Sequence, residues 1–598
     1  MAEERVGGTT RSARSGGYNN LVELFERSRR EFAPRRLFGV KKGGTWEWIP
    51  YARVGEMVDD FRAALARLGV KRDDKVAIVA DNRVEWAVAC YATYGLGAAY
   101  VPMYEAQLAK EWQFILSDCA AKVVIGATPA IVEKLRAIQR EVPTLEHVIG
   151  LDLAGGDDAY STLLEIGRRS PVPPANPAPP DTAGLIYTSG TTGMPKGVIL
   201  SHGNIVSNIN AMHELLPFED DERSLAFLPW AHSFGQVCEL HALVSMGCEI
   251  AINDAIPNLV ANLAEVKPTI LYAVPRIFNR IYDGVNKQIS ERPGIIQSLF
   301  QQGIEVAKRK NRGESLGILD QGILFLADRL IFSTVRQRFG GRLKYAVSGS
   351  AALNREVADF IDALGIMVYE GYGLTETSPI TTANYPGNRK MGSVGKPIPG
   401  VTVRIDNQVT GDPVNGEIVV YGPNVMQGYH NRTDETRAVL MEDGGFRTGD
   451  MGKLDDDGYL YITGRIKEQY KLETGKYVVP SPLEEKLKLS PYIANIFVHG
   501  ENKPHNVAVV VPDADAIKDW ARKNGVALND IAHDPKVHEL IRSELDHLSR
   551  DFKGYERVEK FVVTMEDFTT ENGMLTPSLK LKRRVVLEKY KPALEALY

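Results

Sequence analysis

The sequence predicts an α/β protein, layered around a mostly parallel sheet, with a small antiparallel β subdomain in its second half. Three observations predict it. Segments of helical period alternate with short β-branched runs over residues 54–151; a proline-rich run interrupts the chain at 171–180; and from about Met391 to His430 short alternating runs stand between Gly, Pro and Asn.

In chain order, the opening MAEERVGGTTRSARSGGYNN is small, polar and charged, with no apolar stretch after a basic one. It reads as a frayed tail over 1–20 and not as a secretory signal. VGEMVDDFRAALARLG (54–69) has helical spacing and precedes the strand-like KVAIVA (75–80), as AIVEKLRAIQREV (130–142) precedes HVIGL (147–151). The longest uncharged stretch, Trp86 to Tyr104, contains Gly95, Gly97 and Pro102, which suits a buried helix, a turn and a strand better than a membrane span. PVPPANPAPP (171–180) holds six prolines in ten residues, reads as a stiff extended linker, and predicts a new structural unit after it. VTVRI (401–405) and GEIVVYG (416–422) are the antiparallel strands of the β subdomain, expected at about 391–450.

Residues 276–345 carry 13 Lys/Arg against 6 Asp/Glu, a local +7 that leaves -12 for the rest of a chain whose net charge is -5. The same stretch contains the apolar runs IIQSLF and ILFLADRLIF. A basic amphipathic region can lie on an anionic membrane surface; solvated faces of helices packed on the core are the competing reading.

At 598 residues, with 44% hydrophobic and 25% charged, the chain has room for about four domains of ~150 residues, and disorder, collagen and disulfide-scaffold classes are excluded. The near-balanced charge is unlike that of a dedicated nucleic-acid binder. Cys90, Cys119, Cys238 and Cys248 form no CxxC pair and suggest a reducing compartment, by default the cytoplasm. His232, Cys238, His241 and Cys248 are irregularly spaced in an apolar stretch, which favours buried side chains over a zinc set. Gly95-Leu-Gly97 lacks the third glycine of a dinucleotide fingerprint.

Four motifs carry chemistry. YTSGTTGMPKGV (187–198) puts four hydroxyl side chains and three glycines within ten residues, after the apolar Leu185-Ile186. Backbone N–H groups and hydroxyls of such a loop can surround phosphate oxygens, with Lys196 as a cation, though the spacing is not that of a Walker loop. An ordinary Ser/Gly-rich turn is the bland alternative. In YEGYGLTET (369–377) a Tyr face offers a stacking platform and Glu376 a hard oxygen for Mg²⁺. In FRTGD (446–450), followed by GRIKEQYK (464–471), Asp450 can accept both hydrogen bonds of a ribose diol and Arg465 adds a charged donor. The basic LTPSLKLKRR (575–584) would by itself be read as a solvated face.

In this order and spacing the four motifs resemble those of the adenylate-forming superfamily of acyl-CoA synthetases, adenylation domains and luciferases, over roughly Leu21 to Tyr598. The resemblance implies a large N-terminal domain of layered α/β subdomains (21–464) that includes the β subdomain, and a smaller, mobile α+β C-terminal domain (465–598). It implies a phosphate loop of Thr188, Ser189, Gly190, Thr191, Thr192, Gly193 and Lys196, with Thr188 and Glu376 serving Mg²⁺. The adenine site would be Ser348 to Ala352, including Gly349, Ser350 and Ala351, beside Tyr372, Gly373 and Thr375; Asp450 and Arg465 would hold the ribose. Lys467 would be the hinge, Lys580 the lysine that reaches the α-phosphate and carboxylate, and Gly475 part of the CoA face. LPWAHSFGQ (228–236) matches the acyl-pocket motif, with Trp230, His232 and Gln236 as its candidate lining.

TPSLKLKRR, LETGKYVVP (472–480) and the helical insertion at 276–345 look like the long-chain fatty acid class. Two departures stand out: position 236, where some long-chain members place a gating Trp, is Gln, and Pro482 replaces the first acid of a P-x-E-x-E pattern while Glu484 remains. The implied activity is a two-step fatty acid–CoA ligation through an acyl-adenylate, with fatty acid, ATP, CoA and Mg²⁺. Peripheral contact with the inner face of the cell membrane and a homodimer are compatible with it. The alternatives are a fatty acyl-AMP ligase serving a carrier protein, against which the short gap from Asp450 to Gly464 argues, and a catalytically dead lipid-binding relative, against which Lys196, Glu376, Asp450 and Lys580 argue.

Overall fold

The computed structural model describes residues 16–188, 194–217, 219, 221–351, 353–409, 412–576 and 580–598. Two large sheets dominate the first two thirds of the chain. In the seven-stranded sheet the strands Thr182–Thr188, Ala99–Met103, Lys75–Val79, Val123–Gly126 and His147–Gly150 run parallel in that spatial order, and Lys196–Ser201 and then Gly428–Tyr429 extend it antiparallel beyond Thr182–Thr188. The nine-stranded sheet has a parallel centre, in the order Val368–Gly373, Tyr345–Ser348, Ile270–Ala273, Arg223–Ala226, Glu249–Ile252, Arg36–Lys42, with antiparallel strands at both ends.

Helices Leu21–Glu31, Val84–Tyr94 and His202–Leu215 and the segment Phe234–Ser245 share one hydrophobic core with both sheets. Val84–Tyr94 is buried on every side except at Glu85, as expected of a helix that is apolar all round. This accounts for the uncharged stretch from Trp86: it forms a buried helix and then the buried strand Ala99–Met103. No helix among the described residues is long and apolar enough to cross a membrane.

Two expectations are corrected. The proline run does not open a new unit, because the strand that follows it joins the sheet already begun, Gly184 pairing with Tyr100. Proline forbids ladder bonds only within the run. Arg62 donates to the Val172 carbonyl and Ala175 N–H to the Gly95 carbonyl, so the run is tied across the helices, and the apolar residues after it are buried by pairing. The predicted frayed tail lies outside the described residues up to 15, but 16–20 are docked. Tyr18 is 5% exposed, and Asn20 caps the first helix by accepting from Glu23 N–H.

An antiparallel sheet follows, Thr402–Asp406, Gly416–Tyr421, Phe446–Leu454 and Leu460–Arg465. The last unit packs helices Pro480–Leu487, Ala514–Lys523, Pro535–Leu548 and Arg583–Glu595 around the strands Ile493–His499, Asn506–Pro512 and Val558–Val563. The architecture is thus a large layered α/β part followed by a smaller α+β part.

Helices Tyr51–Arg67 and Tyr160–Arg168 touch backbone to backbone at Gly167, where a Cβ would stand 1.8 Å from the Asp60 carbonyl oxygen. Gly167→Ala is expected to cost about 1–3 kcal/mol by overpacking, seen as a lower urea midpoint at unchanged slope.

Candidate active site

The carboxyl ends of the parallel strands Tyr345–Ser348 and Val368–Gly373 open into a cavity of about 650 Å³, the position where open α/β sheets offer a crevice. Four parts of the chain wall it: the nine-stranded sheet through Gly349, Ser350, Tyr372, Gly373, Thr375 and Glu376; the seven-stranded sheet through Thr188 and Lys196; the antiparallel sheet through Asp450 and Arg465; and the last unit through Lys467, Glu468 and Lys580. Gly373 permits the wall to close, since a Cβ there would meet the Pro379 carbonyl oxygen at 1.7 Å.

Asp450 and Arg465 face each other across antiparallel strands, and Arg465 Nε lies 2.9 Å from Asp450 Oδ1. The Tyr372 hydroxyl donates to Asp450 Oδ2 at 2.8 Å. Each carboxylate oxygen accepts two hydrogen bonds, so capacity remains for a diol. Burial, then the neighbouring Asp450, raises the Tyr372 phenol well above its usual range, and the Asp450 carboxylate holds the Arg465 guanidinium charged. Glu376, on the turn Thr375–Thr377, accepts from the Tyr429 hydroxyl at Oε1 (2.9 Å). Lys196 pairs with Glu435, and its Nζ lies 5.4 Å from the Tyr429 ring centroid.

Lys580 enters from the last unit. Burial drives its ammonium below the ordinary lysine range and Arg465 pushes in the same direction, while Asp450, Glu376 and Glu468 oppose them. His232 is half-buried beside it; desolvation, then Lys580, lowers its imidazole to about 3, so it is neutral at neutral pH. Thr188 and Glu376 present a hydroxyl and a carboxylate to one cavity, hard oxygen donors that suit Mg²⁺. Ser189, Gly190, Thr191, Thr192 and Gly193 lie outside the described residues, as does Ala352.

Residues 25–430 match the family model described as AMP-binding enzyme, and residues 467–598 match the AMP-binding enzyme C-terminal domain. The chain belongs to the AMP-binding enzyme family. This AMP-binding enzyme is 33% identical to the long-chain-fatty-acid–CoA ligase FadD15 of Mycobacterium bovis, over 98% of each chain. It is 30% identical to long-chain-fatty-acid–CoA ligase 1 of Homo sapiens, over 97% of this chain and 87% of that one. Among solved structures, the adenylation domain of a Mycobacterium chelonae carboxylate reductase aligns with a TM-score of 0.80 at 23% identity, covering 98% of this chain and 92% of its own. The anthranilate CoA ligase AuaEII with anthranoyl-AMP gives 0.73 at 20% identity, over 97% and 98%. These two likenesses are of fold.

Four residues singled out from the sequence are not in the cavity wall. Trp230 is fully buried, its ring 5.7 Å from Trp86 and 5.8 Å from Phe38. Gln236 is buried with its amide 3.4 Å from the Tyr94 hydroxyl. Ala351 lies just past the wall, and Gly475 sits on the exposed turn between Lys471 and Tyr477 with φ +82°. Of the acyl-pocket motif only His232, Ser233 and Phe234 reach the cavity, because the chain turns into a π-helical segment at Phe234 and rotates Gln236 into the core. Cys238, Tyr272 and Met212 complete that apolar wall. Sequence reasoning missed them, since their spacing in the chain is indistinguishable from that of core residues. Among the described residues no three of His232, Cys238, His241 and Cys248 bring ligand atoms together.

Sequence reasoning also missed the role of Arg583. It pairs with Glu484, donates to Ser481 Oγ at 3.1 Å and lies 3.6 Å from Glu468, so it ties the Lys580 segment to the residue next to Lys467. Because Arg465 disfavours the charged Lys580, Arg465→Met is expected to raise the Lys580 pKa. Competitive acetylation across a pH series, read by mass spectrometry, checks the shift; an unchanged or lower value contradicts the placement of these two cations.

Proposed function

We propose that this enzyme is a long-chain fatty acid–CoA ligase. A fatty carboxylate oxygen attacks the α-phosphorus of ATP, the bond to the β-phosphate oxygen breaks, and pyrophosphate leaves an acyl-adenylate. The CoA thiol, losing its proton, then attacks the acyl carbonyl, and the bond to AMP breaks to give acyl-CoA. The observation that carries this reading is a single cavity lined by two chemistries: the cations Lys196, Arg465 and Lys580, and the apolar Met212, Phe234, Cys238 and Tyr272. The names of the relatives in bacteria, plants and mammals support the same substrate class.

The first step brings an anion to a polyanion, so its barrier is electrostatic, and Lys580 would stabilise phosphate charge as it develops. No side-chain nucleophile is required, because AMP is the activating group. Thr188 and Glu376 would hold Mg²⁺, which would neutralise phosphate charge when bound. Asp450 and Arg465 would hold the ribose, with the adenine against Tyr372 and the strand ends at Gly349 and Ser350. Chain selection would rest on the apolar wall, each buried CH₂ contributing ~0.8 kcal/mol. Lys467 would be the hinge about which residues 465–598 turn to present the CoA face that includes Gly475. The reading includes a peripheral contact with anionic membrane, supported by the local +7 of residues 276–345.

Production of AMP and acyl-CoA from ATP, CoA and a panel of C6 to C20 acids tests the reading; AMP without thioester would indicate an acyl-AMP ligase, and no AMP would sink it. Lys580→Ala is expected to abolish acid-dependent ATP–pyrophosphate exchange while thioester formation from supplied acyl-adenylate stays within about tenfold of the parent, because the remote cation is needed only while phosphate charge develops. Equal loss in both steps would contradict this role.

A further inference from the structure

The parallel strands Ile270–Ala273 and Tyr345–Ser348 are neighbours in the nine-stranded sheet, and such a pair needs a crossover of only about a dozen residues. Here the crossover is residues 274–344, with helices Pro275–Ser290, Gly294–Asn311 and Ile318–Ala327 and a helical continuation to Arg338. The surplus has an unusual surface. Ile318 is 89% exposed, Leu319 84%, Phe325 62%, Leu326 48% and Leu330 56%. Ile318, Leu319, Gly322, Phe325 and Leu326 recur every three to four residues of an α-helix and form one stripe, and the exposed Arg329 and Leu330 follow it on the π-helical turn Asp328–Phe332.

The stripe is not the core side of the helix. Ala327, Ile331 and Phe332 are buried in the core beneath the nine-stranded sheet, and Gly303 lies so close that a Cβ would reach Ala327 at 2.4 Å. The element is thus apolar both toward the core and toward solvent. Soluble monomers rarely expose contiguous apolar patches unless something covers them.

Charge identifies what covers it. Arg309 reaches Asp320 at 3.1 Å, which sets the basic end of Gly294–Asn311 beside the start of the stripe. Lys308, Lys310 and Arg329 have no ion-pair partner among the described residues, and Arg329 directly follows the stripe. A second copy docked symmetrically would press this surface against itself and oppose like charges within a region of local +7. An anionic bilayer satisfies both features: apolar side chains enter the acyl boundary while Lys and Arg meet phosphate.

We propose that the outward face of Ile318–Leu330 is a lipid-inserting surface, flanked by Lys308, Lys310 and Arg329, that seats the protein on anionic bilayers. The proposal deepens the ligase reading and rests on it for its purpose, since a long-chain acid dissolves in the bilayer from which the enzyme would draw it.

The test uses the full chain with vesicles of phosphatidylglycerol and phosphatidylcholine, and of phosphatidylcholine alone. Sedimentation is expected with the anionic vesicles and is expected to weaken as salt rises. Leu319→Ser with Phe325→Ser and Leu330→Ser should weaken it by roughly two orders of magnitude. Lys308→Gln with Lys310→Gln should weaken it by roughly one order of magnitude. A tryptophan placed by Phe325→Trp should shift to the blue on vesicle addition and be quenched by brominated acyl chains, which adsorption by charge alone would not produce.

Undiminished sedimentation of the triple-serine variant, or absence of quenching, would overturn insertion. A concentration-dependent dimer that the same variant abolishes, without vesicle binding by the parent, would overturn it in favour of self-association. Acyl-CoA formation from a short, water-dissolved acid without vesicles is measured in parallel. Equal rates in parent and variant show intact folding, whereas no activity in either would fail the ligase reading and leave the surface to be judged by the vesicle data.

Discussion

A lysine ammonium that shares one cavity with a guanidinium sets the terms for the rest of this structure. Desolvation disfavours the charge on Lys580, and Arg465 disfavours it further. Such a group persists only where carboxylates face it, and Asp450, Glu376 and Glu468 do so from three different parts of the chain. The last unit therefore cannot be set down arbitrarily against the first. Arg583, held by Glu484 and Ser481 and close to Glu468, fixes the segment that carries the lysine. Cations already held in place by carboxylates can meet a polyanion without first being ordered, which is what preorganised electrostatic stabilisation requires.

The two large sheets supply the rigidity that this placement needs. Both end their parallel strands at the cavity, and both draw on one core, in which Val84–Tyr94 is buried nearly all round. Thr188 and Lys196, paired across antiparallel strands, and the turn carrying Glu376 are then fixed at strand ends, and Tyr429 spans between them by touching both Glu376 and the Lys196 ammonium. Positions closed by a glycine, such as Gly373 against Pro379, let the backbone approach where a side chain would open the wall.

The chemistry of the site was more legible in the sequence than its shape. Hydroxyl- and glycine-rich runs, a Tyr-Gly pair followed by Glu376, and Asp450 with Arg465 stand out because particular side chains are gathered in short segments, and Thr188, Lys196, Glu376, Asp450 and Arg465 do line one cavity. The alternating helix and strand segments were legible for the same reason, since periods of 3.6 and 2 are local properties. What was illegible depended on long-range pairing. The proline run looks like a boundary until Gly184 is seen beside Tyr100, and Asn20 looks like a tail residue until it caps a helix. Trp230 and Gln236 look like pocket residues, but a change of helical pitch at Phe234 decides which side chains face the cavity, and no spacing rule reports that change.

The apolar wall completes the physical logic. His232 is neutral, held at about 3 by burial and then by Lys580, so at neutral pH it adds no second cation where the charged and apolar walls meet. A ligand with a polyanionic end and a long apolar end gains at both ends only in one orientation: reversed, it would bury phosphate against Phe234 and Tyr272 and leave hydrocarbon against Arg465 and Lys580, losing both contributions. On the proposed reading, orientation would follow from this division of the lining between charged and apolar side chains, without a dedicated hydrogen bond to the chain. The same division explains why the acyl side need not be read by precise contacts: hydrophobic burial is non-directional and grows with length. Charge that develops at a particular atom needs donors fixed in place, and four parts of the chain converge on this cavity to supply them.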